Sequence, residues 1–216
     1  MIKGVIFDLD GVLVSTDEMH FAAWKLLAEE LGITNFTKED NKLQKGVSRM
    51  ESLEVVLRKS DKLYSEAEKL AFAMRKNNYY IELLQDLTPD AVLADVIETL
   101  EMLRNRGIAI AVGSASKNTP MILEKTGLKP YIDQVSCGLD TTKSKPDPEV
   151  FIIAAEKINL PNEECLVVED SAAGIVAAKA AHMKSLGVGP EYKQLGADYE
   201  SLTLLSEVDW DKILQG

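Results

Sequence analysis

The sequence VIFDLDG, residues 5–11, places two carboxylates at the end of an apolar run that is typical of a buried strand. Because side chains alternate along a strand, Asp8 and Asp10 leave it on the same side. Carboxylates at the end of a core strand need a metal ion, a shared proton or solvent to offset their desolvation. Open α/β sheets bind ligands at the carboxyl ends of their strands, so this pair predicts a functional site.

The composition is typical of a globular protein, with 46% hydrophobic and 27% charged residues in a chain of 216. The net charge of −11 argues against nucleic acid or an anionic membrane as the main partner, but not against a small phosphorylated ligand. We expect neither a signal peptide nor a membrane span, and we expect a cytoplasmic location. Cys137 and Cys165 lie far apart, which predicts free thiols.

The pattern of the chain changes at Thr88-Pro89. Before that point, residues 15–88 show helical periodicity only. After it, strand and helix patterns alternate, which predicts right-handed crossovers and a mostly parallel sheet. We therefore predict an α/β fold with a Rossmann-like core domain of residues 1–14 and 89–216, into which residues 15–88 insert a helical cap domain.

The individual elements are predicted from apolar periodicity and from capping residues. Thr16 is the predicted N-cap of the first helix, and Asp147 is the predicted N-cap of a helix after Pro146. The predicted strands span residues 3–8, 108–112, 134–137, 165–168 and 184–188. The predicted helices run from residues 16, 37, 48, 65, 94, 119, 147, 171 and about 210.

Four polar features fall at the carboxyl ends of predicted strands. In chain order they are Asp8 with Asp10, Ser114-Ala115-Ser116, Lys145-Pro146 and Glu169-Asp170. In this order, with a helical insert after the first, they resemble the four signature motifs of the haloacid dehalogenase superfamily of phosphotransferases. The resemblance spans nearly the whole chain and implies an enzyme with an α/β core and a cap.

To catalyse phosphoryl transfer, a protein chiefly positions the reacting groups and neutralises the charge of the phosphoryl group. In that chemistry Asp8 is placed to act as the nucleophile and form an aspartyl phosphate. Asp10 is placed to act as general acid and base. Mg²⁺ takes oxygen ligands, so Asp8, Asp170 and the Asp10 carbonyl would hold it, with Glu169 as a further ligand or as support.

A second set of residues resembles, at matching positions, the hexose-phosphate mutases of this superfamily. That resemblance implies a Mg²⁺-dependent isomerase that interconverts β-D-glucose 1-phosphate and D-glucose 6-phosphate through a phosphoenzyme and glucose 1,6-bisphosphate. A small phosphorylated sugar would be its partner, and we expect a monomer. The alternatives are a sugar-phosphate phosphatase and a non-catalytic phosphate-binding protein. The matching residues are Thr16, His20, Trp24, Lys45, Gly46, Val47, Ser48, Arg49, Lys76, Ser114, Ala115, Ser116, Lys117 and Asn118.

A mutase needs two phosphate sites. Lys145 and the Ser114 hydroxyl would hold the transferring phosphoryl group beside the nucleophile. Arg49 and the turn of residues 116–118 would form the distal site, because a guanidinium and helix N-terminal amides both suit phosphate. The backbone of Gly46-Val47 would contact sugar hydroxyls.

Some of these residues have structural alternatives. Lys45 and Arg49 lie four apart and could form a solvated helix face. Lys76 could belong to a polar helix surface, and His20 could be a packed helix histidine. Glu169-Asp170 could be loop acids before an N-cap serine.

Two positions depart from residues that are common in the superfamily. Ser15 stands where Asp is common, and Ala94-Asp95 stands where Pro-Gly is common. Both lie near the predicted junctions with the cap, so they bear on hinge geometry more than on the reaction class.

Overall fold

A computed structural model describes residues 1–202 and 208–215 of the chain. Its strands form one sheet in which every described pairing is parallel, in the order β3-β2-β1-β4-β5-β6. This confirms the predicted α/β fold; the two-residue strand β6 was not predicted. The strands are β1 (Gly4–Phe7), β2 (Ala109–Gly113), β3 (Gln134–Ser136), β4 (Cys165–Glu169), β5 (Lys184–Gly187) and β6 (Tyr199–Glu200).

The first strand lies at the centre of the sheet and positions the first motif. All four residues of β1 are buried, as expected for an apolar run covered by helices on both faces. Phe7 pairs with Val112 of β2 on one side and with Val168 of β4 on the other. Because these three residues are in register, the residues that follow them meet at one edge of the sheet.

The first four α-helices of the chain follow β1 and end before Thr88, and we call them the cap. The cap helices are α1 (Asp17–Glu30), α2 (Lys38–Lys42), α3 (Arg49–Leu57) and α4 (Glu66–Leu83). The remaining helices are α5 (Val96–Asn105), α6 (Thr119–Lys125), α7 (Glu149–Lys157), α8 (Ala172–Ala180) and α9 (Trp210–Gln215).

The cap has an apolar core of its own. Trp24, Leu27 and Leu53 belong to a cluster whose members all fall between Phe21 and Ala73. Removal of this apolar surface from water stabilises the packing of α1, α3 and α4 on one another. The division of the chain into domains at residues 14 and 88 stays a prediction.

The predicted helix starts depend on capping, and three of the four in the cap are confirmed in detail. Thr37, Ser48 and Ser65 each accept a hydrogen bond from the backbone N–H three residues later, in a complete capping box. Thr16 precedes α1 as predicted, but its side chain does not cap the helix. Its hydroxyl donates to Asp10 instead.

Two other helix starts differ from the prediction. The helix predicted from residue 94 begins at Val96, because Asp95 has a φ of 64° and lies in the left-handed region. The N-cap of α7 is Pro148 and not Asp147, because the Pro148 carbonyl accepts the first helical hydrogen bonds. The Asp147 carboxylate still accepts from the Glu149 N–H at 3.1 Å. The other predicted bounds agree within about two residues.

Two predictions from composition can be compared with the structure. Cys137 and Cys165 are free, as predicted, and both are buried. Over residues 1–202 and 208–215, no helix has both the length and the apolar composition needed to cross a membrane. The cytoplasmic location stays a prediction.

Candidate active site

The carboxyl ends of β1, β2 and β4 face helices α3 and α4 across a cavity of about 790 Å³. Thr16 and Glu169 lie behind its wall, where they contact residues of the cavity. All the other predicted site residues line it, so the structure brings together side chains from widely separated parts of the sequence. The lining residues that were predicted are Asp8, Asp10, His20, Trp24, Lys45, Gly46, Val47, Arg49, Lys76, Ser114, Ala115, Ser116, Lys117, Asn118, Lys145 and Asp170.

Asp8 is the first residue after β1, and its N–H donates to the Val168 carbonyl at 2.9 Å. The Lys145 Nζ, fully buried, lies 2.5 Å from Asp8 Oδ1 and 2.5 Å from Glu169 Oε1. Burial raises the pKa of Asp8 well above its usual value, against the opposing effect of Lys145. Burial acts to lower the pKa of Lys145, but the Asp8 and Glu169 carboxylates raise it overall. Lys145 is therefore a fixed cation beside Asp8.

Three carboxylates at this edge could hold a metal ion. Asp8, Glu169 and Asp170 each offer an oxygen, and these oxygens lie within 4.8 Å of one another. Burial, then the charge of Glu169, raises the pKa of Asp170 to about 6. Oxygen donors of this kind suit Mg²⁺.

The contacts of Glu169 and Gly11 refine that metal site. Glu169 Oε1 accepts from Lys145, and Oε2 accepts from both the N–H and the hydroxyl of Ser171 at 2.8 Å. With both oxygens so engaged, Glu169 fits the supporting role better than that of a direct ligand. A Cβ at Gly11 would lie 2.1 Å from Asp170 Oδ2, so the backbone after Asp10 packs directly against that carboxylate. The donor set therefore fits the predicted metal.

Lys45, a predicted substrate-binding residue, lines the cavity at the end where Asp8 and Asp170 lie. Its Nζ lies 2.7 Å from Asp170 Oδ2 and 3.4 Å from Asp17 Oδ2. The adjacent Gly46 has a φ of 74°, and a Cβ there would lie 2.6 Å from Ser171 Oγ. This loop of the cap thus packs against the start of α8, and a glycine is needed for both the conformation and the close approach.

Asp10 lies at the end of a chain of hydroxyl groups. The Tyr80 hydroxyl donates to Thr16 Oγ1 at 3.0 Å, and the Thr16 hydroxyl donates to Asp10 Oδ1. His20 Nε2 lies 4.0 Å from Asp10 Oδ2. Burial raises the pKa of Asp10 to about 6. A carboxyl group that exchanges its proton near neutral pH suits general acid and base catalysis.

Lys76 is buried, so its interpretation as a polar helix surface is wrong. It is 3% exposed, and its Nζ lies 2.8 Å from His20 Nδ1. The Trp24 and Tyr80 ring centroids lie 4.7 and 4.6 Å from the same nitrogen. Burial, then the charge of Arg49, lowers the pKa of Lys76 to about 7.

His20 and Arg49 complete this basic end of the cavity. Burial and the charges of Lys76 and Arg49 lower the pKa of His20 well below its usual value, so His20 is neutral and Nδ1 accepts from Lys76. Burial also lowers the pKa of Arg49. Among the described residues, no carboxylate lies within 4 Å of the charged groups of Lys76 or Arg49. The basic end therefore carries positive charge that no described carboxylate neutralises by contact.

Replacement of Lys76 by methionine is expected to stabilise the protein, because the fold buries this ammonium with no carboxylate of the described residues in contact with it. At about pH 6 the free energy of unfolding should rise by about 2 kcal/mol. The gain should shrink as the pH rises from about 7 towards 10.5, because the folded wild type is then neutral at Lys76 while the unfolded chain still binds the proton. Denaturant unfolding across this pH range measures both effects.

Lys69 provides a matched control on the same helix. Its Nζ lies 2.8 Å from Glu54 and 3.2 Å from Glu66 near the surface. Lys69→Met should change stability little and should not show the pH trend. A Lys76→Met variant less stable than the wild type at every pH would contradict the description of the basic end.

The turn after β2 faces the basic end. Ser114 is 2% exposed, and its Oγ accepts from the Ser116 N–H at 3.1 Å. Ser116 Oγ accepts from the Asn118 N–H at 3.2 Å. The Asn118 Nδ2 donates to Asn77 Oδ1 at 3.0 Å, which holds this turn against α4 beside Lys76. This turn and Arg49, the two predicted halves of the distal site, line the same cavity, and the distal site stays a prediction.

Three residues of the site were missed in the sequence. Tyr80 stacks on His20 with ring centroids 4.0 Å apart, and its position four residues after Lys76 could have placed it on the same helix face. Asp17 contacts Lys45, and Asn77 contacts Asn118. We find no signal in the sequence for these two contacts, because each joins residues that are far apart in the chain.

Comparisons of the sequence with a family model and with known proteins indicate the same family. A family model described as haloacid dehalogenase-like hydrolase matches residues 5–188. The β-phosphoglucomutase of Bacillus subtilis strain 168 is 41% identical over 202 residues, which cover 91% of this chain and 88% of that protein. A phosphorylated carbohydrates phosphatase of Thermotoga maritima is 29% identical over 188 residues, which cover 86% of this chain and 84% of that protein.

The fold is shared as well as the sequence. The crystal structure of a β-phosphoglucomutase from Clostridium difficile matches with a TM-score of 0.92 at 34% identity, and the match covers 100% of this chain and 96% of that chain. The order of the four sequence motifs along the chain agrees with this similarity in sequence and fold. The chain is therefore an enzyme that belongs to the haloacid dehalogenase-like hydrolase family.

Proposed function

We propose that the protein has β-phosphoglucomutase activity and interconverts β-D-glucose 1-phosphate and D-glucose 6-phosphate through glucose 1,6-bisphosphate. The observation that carries this proposal is the division of charge in the cavity. At one end the carboxylates of Asp8 and Asp170 lie beside Lys145 and Lys45. At the other end, no carboxylate in the described part of the chain lies within 4 Å of the charged groups of Lys76 and Arg49. A bisphosphate suits such a cavity, with one phosphate at each end.

In the first half of the reaction, phospho-Asp8 passes its phosphoryl group to a sugar hydroxyl. The hydroxyl oxygen attacks phosphorus, Asp10 takes the hydroxyl proton, and the bond from Asp8 oxygen to phosphorus breaks. A carboxyl with a pKa of about 6 can accept this proton and return it in the reverse step. Lys145 and the Ser114 hydroxyl hold the oxygens of the transferring group.

Asp8, Asp170 and the Asp10 carbonyl would hold Mg²⁺, which supplies charge neutralisation at the phosphoryl oxygens when bound. Glu169 keeps Lys145 and Ser171 in place behind these ligands. Removal of divalent cations with a chelator should stop transfer, and Mg²⁺ should restore it.

Arg49, with residues 116–118 and Lys76, holds the second phosphate. A guanidinium binds phosphate through two parallel hydrogen bonds, and the anion would supply the charge that Lys76 lacks in the fold. After the first transfer the bisphosphate turns round, so that its other phosphate reaches Asp8. A phosphatase requires only the end at Asp8.

Contacts between the cap and the sheet support transfer to a sugar rather than to water. Lys45 reaches Asp170, Asn77 reaches Asn118, and Gly46 packs on Ser171. These contacts hold the cap against the sheet beside the cavity, and exclusion of water there would favour attack by a bound hydroxyl. The 41% identity with the Bacillus β-phosphoglucomutase points the same way.

The proposal is tested by an assay with the purified protein, Mg²⁺, β-glucose 1-phosphate and a trace of glucose 1,6-bisphosphate. Glucose 6-phosphate and free phosphate are followed together. Glucose 6-phosphate without matching phosphate release would support the mutase. Phosphate release alone would show a phosphatase, the activity named for the Thermotoga relative. Absence of both products would rule out this substrate.

A further inference from the structure

Ser144 and Glu51 form a contact between the sheet and the cap that the proposed reaction has not used. Ser144 comes directly before Lys145, and its hydroxyl donates to Glu51 Oε2. The same carboxylate oxygen accepts the Ser48 N–H at 2.8 Å. One oxygen atom therefore joins the residue before Arg49 to the residue before Lys145.

This contact is additional to the capping of α3. The Glu51 N–H donates to Ser48 Oγ at 3.3 Å, and with the Ser48 N–H bond this completes the capping box. The Ser48 and Glu51 N–H groups at the start of α3 therefore have hydrogen-bond acceptors without Ser144. Hydrogen bonds from Ser144 and Ser48 outweigh partial burial and lower the pKa of Glu51, so the acceptor is charged and the bond is charge-assisted.

The backbone on both sides of the contact is ordered. The Ser144 carbonyl accepts from the Asp147 N–H at 3.0 Å, which closes the turn that carries Lys145. On the cap side, Arg49 is the first residue of α3 and directly follows the N-cap. A shift of the cap relative to the sheet would therefore break this bond before it moved either turn internally.

We propose that Glu51 and Ser144 are positioning residues that hold the phosphate-binding arginine of the cap at a fixed distance from the phosphoryl-binding lysine of the sheet. This inference rests on the proposed function, in which Arg49 and Lys145 bind the two ends of one sugar bisphosphate. With the pair intact, the sugar hydroxyl is aligned on phospho-Asp8. Without it, the oxygen of a water molecule attacks phosphorus more often, Asp10 takes a proton from that water, the bond from Asp8 oxygen to phosphorus breaks, and free phosphate is released.

The test compares Ser144→Ala with the wild type in the assay of glucose 6-phosphate and free phosphate. The ratio of phosphate released to glucose 6-phosphate formed should rise about tenfold or more, the scale of one lost hydrogen bond to a charged acceptor. Ser144→Thr keeps the hydroxyl and should restore the ratio. Ser144→Ala combined with Glu51→Gln should give no more than the larger single effect, because both changes disrupt one contact.

Ser48→Ala is the matched control for helix capping. It removes the N-cap hydroxyl but leaves both Glu51 and Ser144 in place. It should lower stability without changing the product ratio. An unchanged ratio in Ser144→Ala, or an equal rise in Ser48→Ala, would overturn the inference.

A second measurement separates failure of this inference from failure of the proposed function. Hydrogen exchange of backbone amides in residues 43–48 and 141–146 does not depend on turnover. If the wild type forms no glucose 6-phosphate, the proposed function fails, and this exchange alone decides the role of the pair. Faster exchange of both segments in Ser144→Ala, but not in Ser144→Thr, would support a bond between cap and sheet. Equal exchange rates of these segments in the wild type, Ser144→Ala and Ser144→Thr would show that the hydroxyl of residue 144 does not join the cap to the sheet.

Discussion

Asp8→Asn is expected to abolish phosphoenzyme formation and to raise the thermal stability of the metal-free protein. An amide cannot attack phosphorus, so transfer to sugar and to water should both fall by about 10⁴-fold or more. Incubation with acetyl phosphate followed by mass spectrometry of the intact protein measures the phosphoenzyme directly.

The expected gain in stability comes from removing one of three carboxylates that repel one another in the fold. Asp8, Glu169 and Asp170 lie within 4.8 Å of one another, and Lys145 is the cation between Asp8 and Glu169. Burial and the Glu169 and Asp170 carboxylates raise the pKa of Asp8 against the opposing effect of Lys145, so its charged form is disfavoured in the fold. Asparagine has nearly the same shape without the charge, and Lys145 keeps its contact with Glu169. Sites tuned for chemistry are commonly destabilising in this way.

Asp10→Asn is the matched control for this prediction. It keeps the nucleophile, and acetyl phosphate has a leaving group that needs no proton. Asp10→Asn should therefore form the phosphoenzyme but pass it to sugar slowly. A phosphoenzyme in Asp8→Asn, or a lower unfolding temperature without metal, would contradict the assignment of Asp8.

The placement of the reactive groups at the end of the sheet could be predicted from local sequence. Asp8, Lys145 and Asp170 each follow an apolar run or precede a capped helix, and parallel strands bring such positions to one edge. These signals depend on periodicity and turn chemistry, which a single sequence displays. The helical insert was visible for the same reason, because residues 15–88 show no strand pattern.

Burial of Lys76 could not be predicted in this way. Its neighbours Arg75, Asn77 and Asn78 are polar, so this turn of α4 resembles a solvated surface. The ammonium is covered only because α4 packs on α1, whose Trp24 lies beside it. The position of a buried cation is set by tertiary contacts, and local patterns fail most often at such functional sites.

Thr16 shows a second limit of local signals. Its position before α1 is correct, and a threonine there is typical of an N-cap. The hydroxyl instead donates to Asp10, because the chain returns past the end of β1 at this point. Sequence identifies the residue as a hydrogen-bond donor near a helix start, but not which acceptor competes for it.

Arg49→Ala is expected to weaken bisphosphate binding by about 100-fold while leaving phosphorylation by acetyl phosphate nearly unchanged. The small donor needs only Asp8, Lys145 and the metal site, whereas the bisphosphate also needs an anion partner at the basic end. Competition between glucose 1,6-bisphosphate and acetyl phosphate for phosphoenzyme formation measures the affinity for the bisphosphate and the rate of phosphorylation by acetyl phosphate in one experiment.

Arg49→Lys is the informative companion variant. A lysine keeps the positive charge but loses the planar pair of hydrogen bonds, so its bisphosphate affinity should fall between those of Arg49→Ala and the wild type. Burial and the charge of Arg49 lower the pKa of Lys76, so Arg49→Ala should also let Lys76 hold its proton to higher pH. An unchanged bisphosphate affinity in Arg49→Ala would remove the second phosphate site, and with it the physical reason to prefer a mutase over a phosphatase.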